Sequence, residues 1–235
     1  DIGAAGDAQK AYDAGVTIGT YLKQLGFNVD YAPVADVLTN PGNTAIGTRS
    51  FGSDASMVAD MVIKELEGLS SQGVFGAVKH FPGQGGVSGD SHDGAVTLDK
   101  SLEELMQTEL VPFQKALENG VSFVMVGHIS VPQVAGDNTP ASLSQMMVSN
   151  VLREQLGYQG IVITDAMNMG AITGTYTADQ AAVMAVNAGV DMILMPQDYE
   201  TAYNGLLQAV QDGTITEERI DESVERIVKV KLQMQ

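Results

Sequence analysis

The stretch that decides the fold is residues 147–164, which read MVSNVLREQLGYQGIVIT. Its first half places apolar side chains three or four positions apart, which keeps one face of a helix apolar. These side chains are Met147, Val148, Val151, Leu152 and Leu156, and Gly157 ends the helix. Its second half, Gly160–Thr164, is a continuous apolar and β-branched run, as in a strand buried on both faces. The stretch therefore predicts one helix followed by one strand of a parallel sheet.

The same helix-to-strand order recurs along the chain and predicts an α/β fold. The predicted strands are Asn28–Pro33, Val74–Lys79, Val121–Gly127, Gly160–Thr164 and Asp191–Met195. Polar, glycine-rich segments follow several of these strands, and barrel enzymes carry their active sites at that end. An eight-stranded barrel typically needs ~250 residues. The 235 residues and five strands therefore predict one domain, residues 1–235, with a (β/α)8 TIM-like fold that lacks the first one or two β/α units.

Composition and charge exclude several classes of function. The 12 basic and 29 acidic residues give a net charge of −17, which repels phosphate backbones and anionic lipid. We therefore expect neither nucleic-acid binding nor membrane insertion, and no apolar run reaches the ~18 residues of a membrane helix. The absence of cysteine excludes disulfides and thiolate catalysis. The three histidines, His80, His92 and His128, must supply any imidazole chemistry.

The segment at residues 79–92 reads KHFPGQGGVSGDSH and carries two of those histidines. Asp90 and His92 are spaced so that the carboxylate can orient the imidazole across a tight turn. A histidine held in this way is a serviceable general acid and base near neutral pH. The alternatives are an ordinary polar turn and a metal site. The metal site lacks a third ligand, so no cofactor or metal is expected.

Two further segments carry candidate site residues. Asp165 follows the buried strand Gly160–Thr164 directly, a position that suits a carboxylate nucleophile. The alternatives are a helix N-cap and a structural hydrogen bond to a neighbouring loop. Asp36 and Arg49 follow the first predicted strand, where they can bind sugar hydroxyls or pair with each other to hold a loop.

Together these segments resemble glycoside hydrolase family 3, specifically its bacterial β-N-acetylglucosaminidases (β-N-acetylhexosaminidases), which trim peptidoglycan fragments. The similar segments are Lys79–Pro82, Asp90–His92 and Thr164–Gly170, with Asn28–Val37, Gly47–Gly52 and Glu217–Ser223. The resemblance covers almost the whole chain. Most family 3 β-glucosidases lack the Asp-x-His loop, so this loop indicates the hexosaminidase branch.

The resemblance implies roles for particular residues. Asp165 is then the nucleophile, His92 the acid/base and Asp90 its partner. The residues implied in sugar binding are Arg49, Lys79, His80 and Asp36. The resemblance also includes His128 but leaves its role open.

The sequence departs from the family pattern in three places. Residues 84–86 are Gln-Gly-Gly where the family has His-Gly-Asp, and Ala166 stands where relatives often have a second acid. An Asp-Gln-Glu-Gly-Gly-Arg-like segment, which supplies a sugar-binding aspartate, is absent, so we expect a further N-terminal segment or domain of the same protein.

The resemblance implies retaining hydrolysis of terminal β-linked N-acetylglucosamine through a covalent glycosyl-enzyme intermediate, with a carbohydrate as substrate. The alternatives are β-glucosidase, β-xylosidase or N-acetylglucosaminide phosphorylase activity within the family. A non-catalytic sugar-binding barrel and an unrelated aldolase or dehydratase barrel are alternatives of other classes. A cell-envelope or secreted location is expected rather than a cytoplasmic one.

Overall fold

The predicted alternation of helices and strands is present in the computed structural model, which describes residues 2–234. In chain order the helices and strands are α1 (Ala8–Gln24), β1 (Val29–Asp30), α2 (Ala55–Ser71), β2 (Phe75–Phe81), β3 (Val96–Thr97), α3 (Leu102–Gln107), α4 (Val111–Glu118), β4 (Phe123–Val126), β5 (Ile129–Ser130), α5 (Pro132–Ala135), a π-helix (Met146–Gln155), β6 (Ile161–Thr164), α6 (Gly170–Thr173), α7 (Ala178–Ala188), α8 (Tyr199–Gln211) and α9 (Glu217–Gln233). Short 3₁₀ turns occupy Gly3–Ala5, Gly47–Arg49 and Ala141–Leu143.

The chain forms two compact units. The first unit comprises residues 2–88 and Ser101–Met125, and the second comprises Gly89–Lys100 and Val126–Gln233. That residues 1–235 form a single domain stays a prediction. Within residues 2–234, no helix combines the length and the apolar character needed to cross a membrane.

The first unit is built on parallel strands covered by helices. β1 pairs with β2 in parallel, with Val29 opposite Phe75, and β2 lies between β1 and β4. α1 crosses α2 so closely that a Cβ on Gly15 would lie 2.4 Å from the carbonyl oxygen of Glu65. Only glycine permits this approach, which brings the two helix backbones into contact.

The second unit contains β6, α6 to α9 and the parallel pair β3–β5. The predicted strand at Asp191–Met195 is reduced to one parallel bridge, between Ile163 and Met192. The backbone turns away soon afterwards, since Met195 has a φ of 46°. The helix at 146–155 has π-type geometry, a distinction that apolar spacing does not reveal.

A buried carboxylate ties the last helix of the second unit to its strands. Asp191, whose side chain is 0% exposed, accepts hydrogen bonds from Arg153 at 2.5 Å and from the Val162 N–H at 2.9 Å. From α9, Ser223 donates to the same carboxylate at 2.7 Å and Arg226 at 3.1 Å. Burial lowers the pKa of Arg153, and the charge of Asp191 counteracts that effect. The Asp191 carboxylate therefore links the π-helix, β6 and α9.

Candidate active site

Asp165 lies at the carboxyl end of β6 and is held by the backbone. Its N–H donates to the Val126 carbonyl at 2.9 Å, and its Oδ1 accepts from the Ala166 N–H at 2.7 Å. The next helix, α6, begins at Gly170 with Met169 as its N-cap, so Asp165 does not cap it. This rules out the N-cap alternative. The carboxylate is partly exposed and fixed at the end of a buried strand, as a nucleophile requires.

Asp90 and His92 form the dyad that their spacing predicts. Oδ1 of Asp90 lies 2.6 Å from His92 Nδ1 and also accepts the His92 backbone N–H at 2.9 Å. Because a carboxylate can only accept, Nδ1 carries the proton of that bond and Nε2 is the nitrogen that exchanges protons with a ligand. The His92 side chain is 63% exposed, so a ligand can reach it.

The loop that carries His92 is bound to the segment that follows Asp165. The Gly170 N–H donates to the His92 carbonyl at 3.0 Å, and the Ala171 N–H donates to the Ser91 carbonyl at 3.1 Å. A Cβ on Gly170 would lie 2.6 Å from the His92 carbonyl oxygen, which is too close for any residue but glycine. The two catalytic candidates therefore belong to one hydrogen-bonded assembly within the second unit.

His128 is buried beside the same segment, with 1% of its surface exposed. Its Nδ1 lies 2.8 Å from the Ser142 hydroxyl oxygen, and its Nε2 lies 3.0 Å from the Ala166 carbonyl oxygen. Ser142 is not among the site residues predicted from the sequence.

In the first unit, Asp36 and His80 form a second carboxylate–imidazole pair. Oδ2 of Asp36 lies 2.7 Å from His80 Nδ1, while Oδ1 accepts the Gln84 N–H at 2.6 Å and the His80 N–H at 3.3 Å. Asp36 is 0% exposed, and its carboxylate binds the backbone of the loop at residues 80–84. Asp36 therefore fixes His80 and this loop.

The other two candidate sugar-binding residues lie in different surroundings. Arg49 is exposed and donates to the Ala45 carbonyl at 2.6 Å. Lys79 is half-buried near two acids, Asp30 and Glu65. Burial and the charge of Asp30 raise the pKa of Glu65 to about 7, while the charge of Lys79 opposes that rise.

The glycine-rich loop after β2 owes its composition to close packing as well as to conformational freedom. A Cβ on Gly85 would lie 2.0 Å from the Val37 carbonyl oxygen, and one on Gly83 would lie 2.7 Å from Cβ of Glu109. Asn43 donates to the Gln84 carbonyl at 2.6 Å. Asn43 and Glu109 were not predictable from the sequence because their contacts lie far away in it. Within residues 2–234, no three metal-ligating side chains converge.

The whole chain can be compared with known proteins. Residues 1–230 match the family described as Glycosyl hydrolase family 3 N terminal domain. The chain belongs to glycoside hydrolase family 3. A solved structure of a family 3 β-N-acetylglucosaminidase from Paenibacillus sp. str. FPU-7 is similar with a TM-score of 0.97 and 42% identity, over 99% of this chain and 45% of that one.

Named relatives of this family 3 chain carry related descriptions. Beta-hexosaminidase LpqI of Mycobacterium tuberculosis is 36% identical over 231 residues, which is 95% of this chain and 59% of the relative. Beta-N-acetylglucosaminidase/beta-glucosidase of Cellulomonas fimi is 32% identical over 239 residues, which is 98% of this chain and 42% of the relative. The chain therefore spans about half the length of these proteins.

These similarities confirm the predicted family and fold class. The N-terminal domain of glycoside hydrolase family 3 is a TIM-like (β/α)8 fold, and the parallel α/β arrangement of this chain is that of part of such a barrel. The resemblance to family 3 β-N-acetylglucosaminidases is confirmed as well. The roles of the individual residues stay predictions.

Proposed function

We propose that the family 3 protein to which this chain belongs removes terminal β-linked N-acetylglucosamine from peptidoglycan fragments or related glycosides, with retention of configuration. The observation that carries this proposal is the Asp90–His92 dyad, whose loop is bound through its backbone to the segment after Asp165. The relatives named β-hexosaminidase and β-N-acetylglucosaminidase support the choice of sugar.

The proposed reaction is a double displacement. The Asp165 carboxylate attacks the anomeric carbon and forms a glycosyl ester, while His92 Nε2 donates its proton to the leaving oxygen. Neutral His92 then takes a proton from water, which attacks the anomeric carbon and releases Asp165. Asp90 stabilises the charged imidazole before the first step and orients the ring throughout.

The remaining candidates act on the sugar in the first subsite. We assign Arg49, Lys79 and His80 to donor contacts with its hydroxyl and acetamido oxygens. Asp36 is buried, so its proposed contribution is to hold the His80 ring through Nδ1.

The proposal includes further polypeptide in the same protein, either an additional N-terminal segment or another domain. The support is that this chain spans only 45% of the Paenibacillus structure. A cell-envelope or secreted location, where such glycans occur, is part of the same proposal.

The test is turnover of 4-nitrophenyl N-acetyl-β-glucosaminide by the intact protein and its variants. Asp165→Ala should abolish turnover because no other group takes the place of the nucleophile. Asp221→Ala, which removes an exposed carboxylate of α9, is the matched control and should leave the rate unchanged. Normal activity of Asp165→Ala would refute the nucleophile assignment.

His92→Ala tests the acid/base. Glycosides with poor leaving groups should suffer most because they need the proton, and azide should restore part of the rate by replacing activated water. A fluorinated N-acetylglucosaminyl donor should label Asp165 covalently. Measurable sugar binding without such an adduct would favour a non-catalytic sugar-binding protein, and release of the sugar 1-phosphate would indicate a phosphorylase.

A further inference from the structure

His128 is buried, contacts the residue that follows the proposed nucleophile and has no part in the proposed reaction. It follows β4 by two residues, and its ring bridges the Ser142 hydroxyl and the Ala166 carbonyl. Both partners belong to the second unit, as does Asp165.

The partners of His128 determine which ring nitrogen carries its proton. A carbonyl oxygen only accepts, so the Nε2 that faces Ala166 at 3.0 Å must carry a hydrogen. In the neutral ring, Nδ1 then accepts from the Ser142 hydroxyl at 2.8 Å. Ser142 is 0% exposed, and its N–H donates to the Gly127 carbonyl at 3.2 Å. The ring is thus anchored on one side and donates to the backbone on the other.

The backbone around Asp165 is fixed at three successive points. The Asp165 N–H binds the Val126 carbonyl, the Ala166 carbonyl binds His128, and the Met167 N–H binds the Leu194 carbonyl at 2.9 Å. The first and third contacts are between backbone groups. The central contact, the bond from His128, depends on a side chain and can be removed by substitution.

We propose that His128 is a positioning residue for Asp165, an inference that rests on the proposed function. By holding the Ala166 carbonyl, His128 fixes the backbone on which the Ala166 N–H meets Oδ1 of Asp165 at 2.7 Å. That N–H orients the carboxylate toward the anomeric carbon. Without His128, the carboxylate adopts several orientations and attacks less often.

The experiment isolates the nucleophilic step in the intact protein. The rate constant for covalent labelling by a fluorinated N-acetylglucosaminyl donor with a dinitrophenolate leaving group is measured, because such a group leaves without proton donation. His128→Phe should slow labelling by about 30- to 100-fold, as a misplacement near 1 Å does. The dissociation constant for N-acetylglucosamine should change by less than about twofold, since the sugar-binding groups are untouched. Asp221→Ala, which removes an exposed carboxylate of α9, should be labelled at the wild-type rate.

A pair of amide substitutions keeps the test decisive if the Phe variant fails to fold. Gln carries its amide nitrogen where Nε2 lies, whereas Asn carries its nitrogen near Nδ1, so His128→Gln should retain labelling within about fivefold and His128→Asn should not. Equal loss in both, or wild-type labelling in His128→Phe, would overturn the positioning role. Absence of labelling in the wild-type protein would instead overturn the proposed function.

Discussion

The contact between Gly170 and the His92 loop allows a sharp test of the proposed acid/base. In Gly170→Ala the new Cβ would lie 2.6 Å from the His92 carbonyl oxygen and 3.0 Å from the carbonyl carbon and oxygen of Asp93. Ordinary contact needs about 3.5 Å, so the loop must retreat by about 1 Å. This retreat stretches the bonds from Gly170 and Ala171 to the loop, which now measure 3.0 and 3.1 Å, beyond useful length.

The expected loss follows from that displacement. A proton donor misplaced by about 1 Å costs about 100-fold in rate, and two lost backbone bonds cost about 1–3 kcal/mol of stability. The assay is kcat/KM for a series of aryl N-acetylglucosaminides whose leaving groups differ in basicity. We expect the full loss for the most basic leaving group and only a few-fold loss for dinitrophenolate, which needs no proton.

Gly94→Ala is the matched control because it adds the same methyl group to the same loop without a clash. A Cβ on Gly94 meets nothing within 4 Å. Gly94→Ala should therefore keep both activity and stability. An equal loss of rate in Gly170→Ala for every leaving group would contradict the assignment of His92 as proton donor, as would wild-type rates throughout.

Two stability predictions follow from the buried charges. Asp191→Asn should lower the free energy of unfolding by about 3–5 kcal/mol in urea titrations, because Arg153 and Arg226 lose their shared anion. Glu225→Gln, which breaks an exposed pair with Lys229, is the control and should leave the urea midpoint nearly unchanged. A loss under about 1 kcal/mol in Asp191→Asn would refute the role of this carboxylate. Burial raises the pKa of Glu65 from 4.5 to about 7, so the folded state keeps a proton that the unfolded state releases, and stability should fall as the pH rises between these values. Glu65→Gln should remove that decline and be more stable than the wild-type protein by up to about 3 kcal/mol at pH 8. If the variant keeps the wild-type dependence of stability on pH, Glu65 does not titrate in this range.

The fold was predictable where a strand is long and apolar, and less so elsewhere. β4 and β6 lie within predicted strands because each is part of a continuous apolar run, whereas β2 overlaps the strand predicted at Val74–Lys79 and continues two residues further, to Phe81. β3 and β5 have two residues each, too few to show any period. The run at Asp191–Met195 has the composition of a strand, yet pairing depends on the course of the neighbouring backbone and leaves a single bridge.

The site was predictable where side chains bind side chains within a short motif. Asp90 and His92 are two residues apart, so their contact follows from local geometry. The partners of Asp36 and His128 include backbone groups, the Gln84 N–H and the Ala166 carbonyl. Every residue type presents such groups, so sequence alone gives no sign of these contacts.

The Asp191 cluster can be completed during synthesis only after α9 has been made. Arg226 lies 35 residues after Asp191, and at about 5–20 residues per second the ribosome takes a few seconds to make that stretch. Until α9 emerges, Asp191 lacks its contacts with Ser223 and Arg226. The nascent chain therefore passes through that interval without the two contacts by which α9 holds the Asp191 carboxylate.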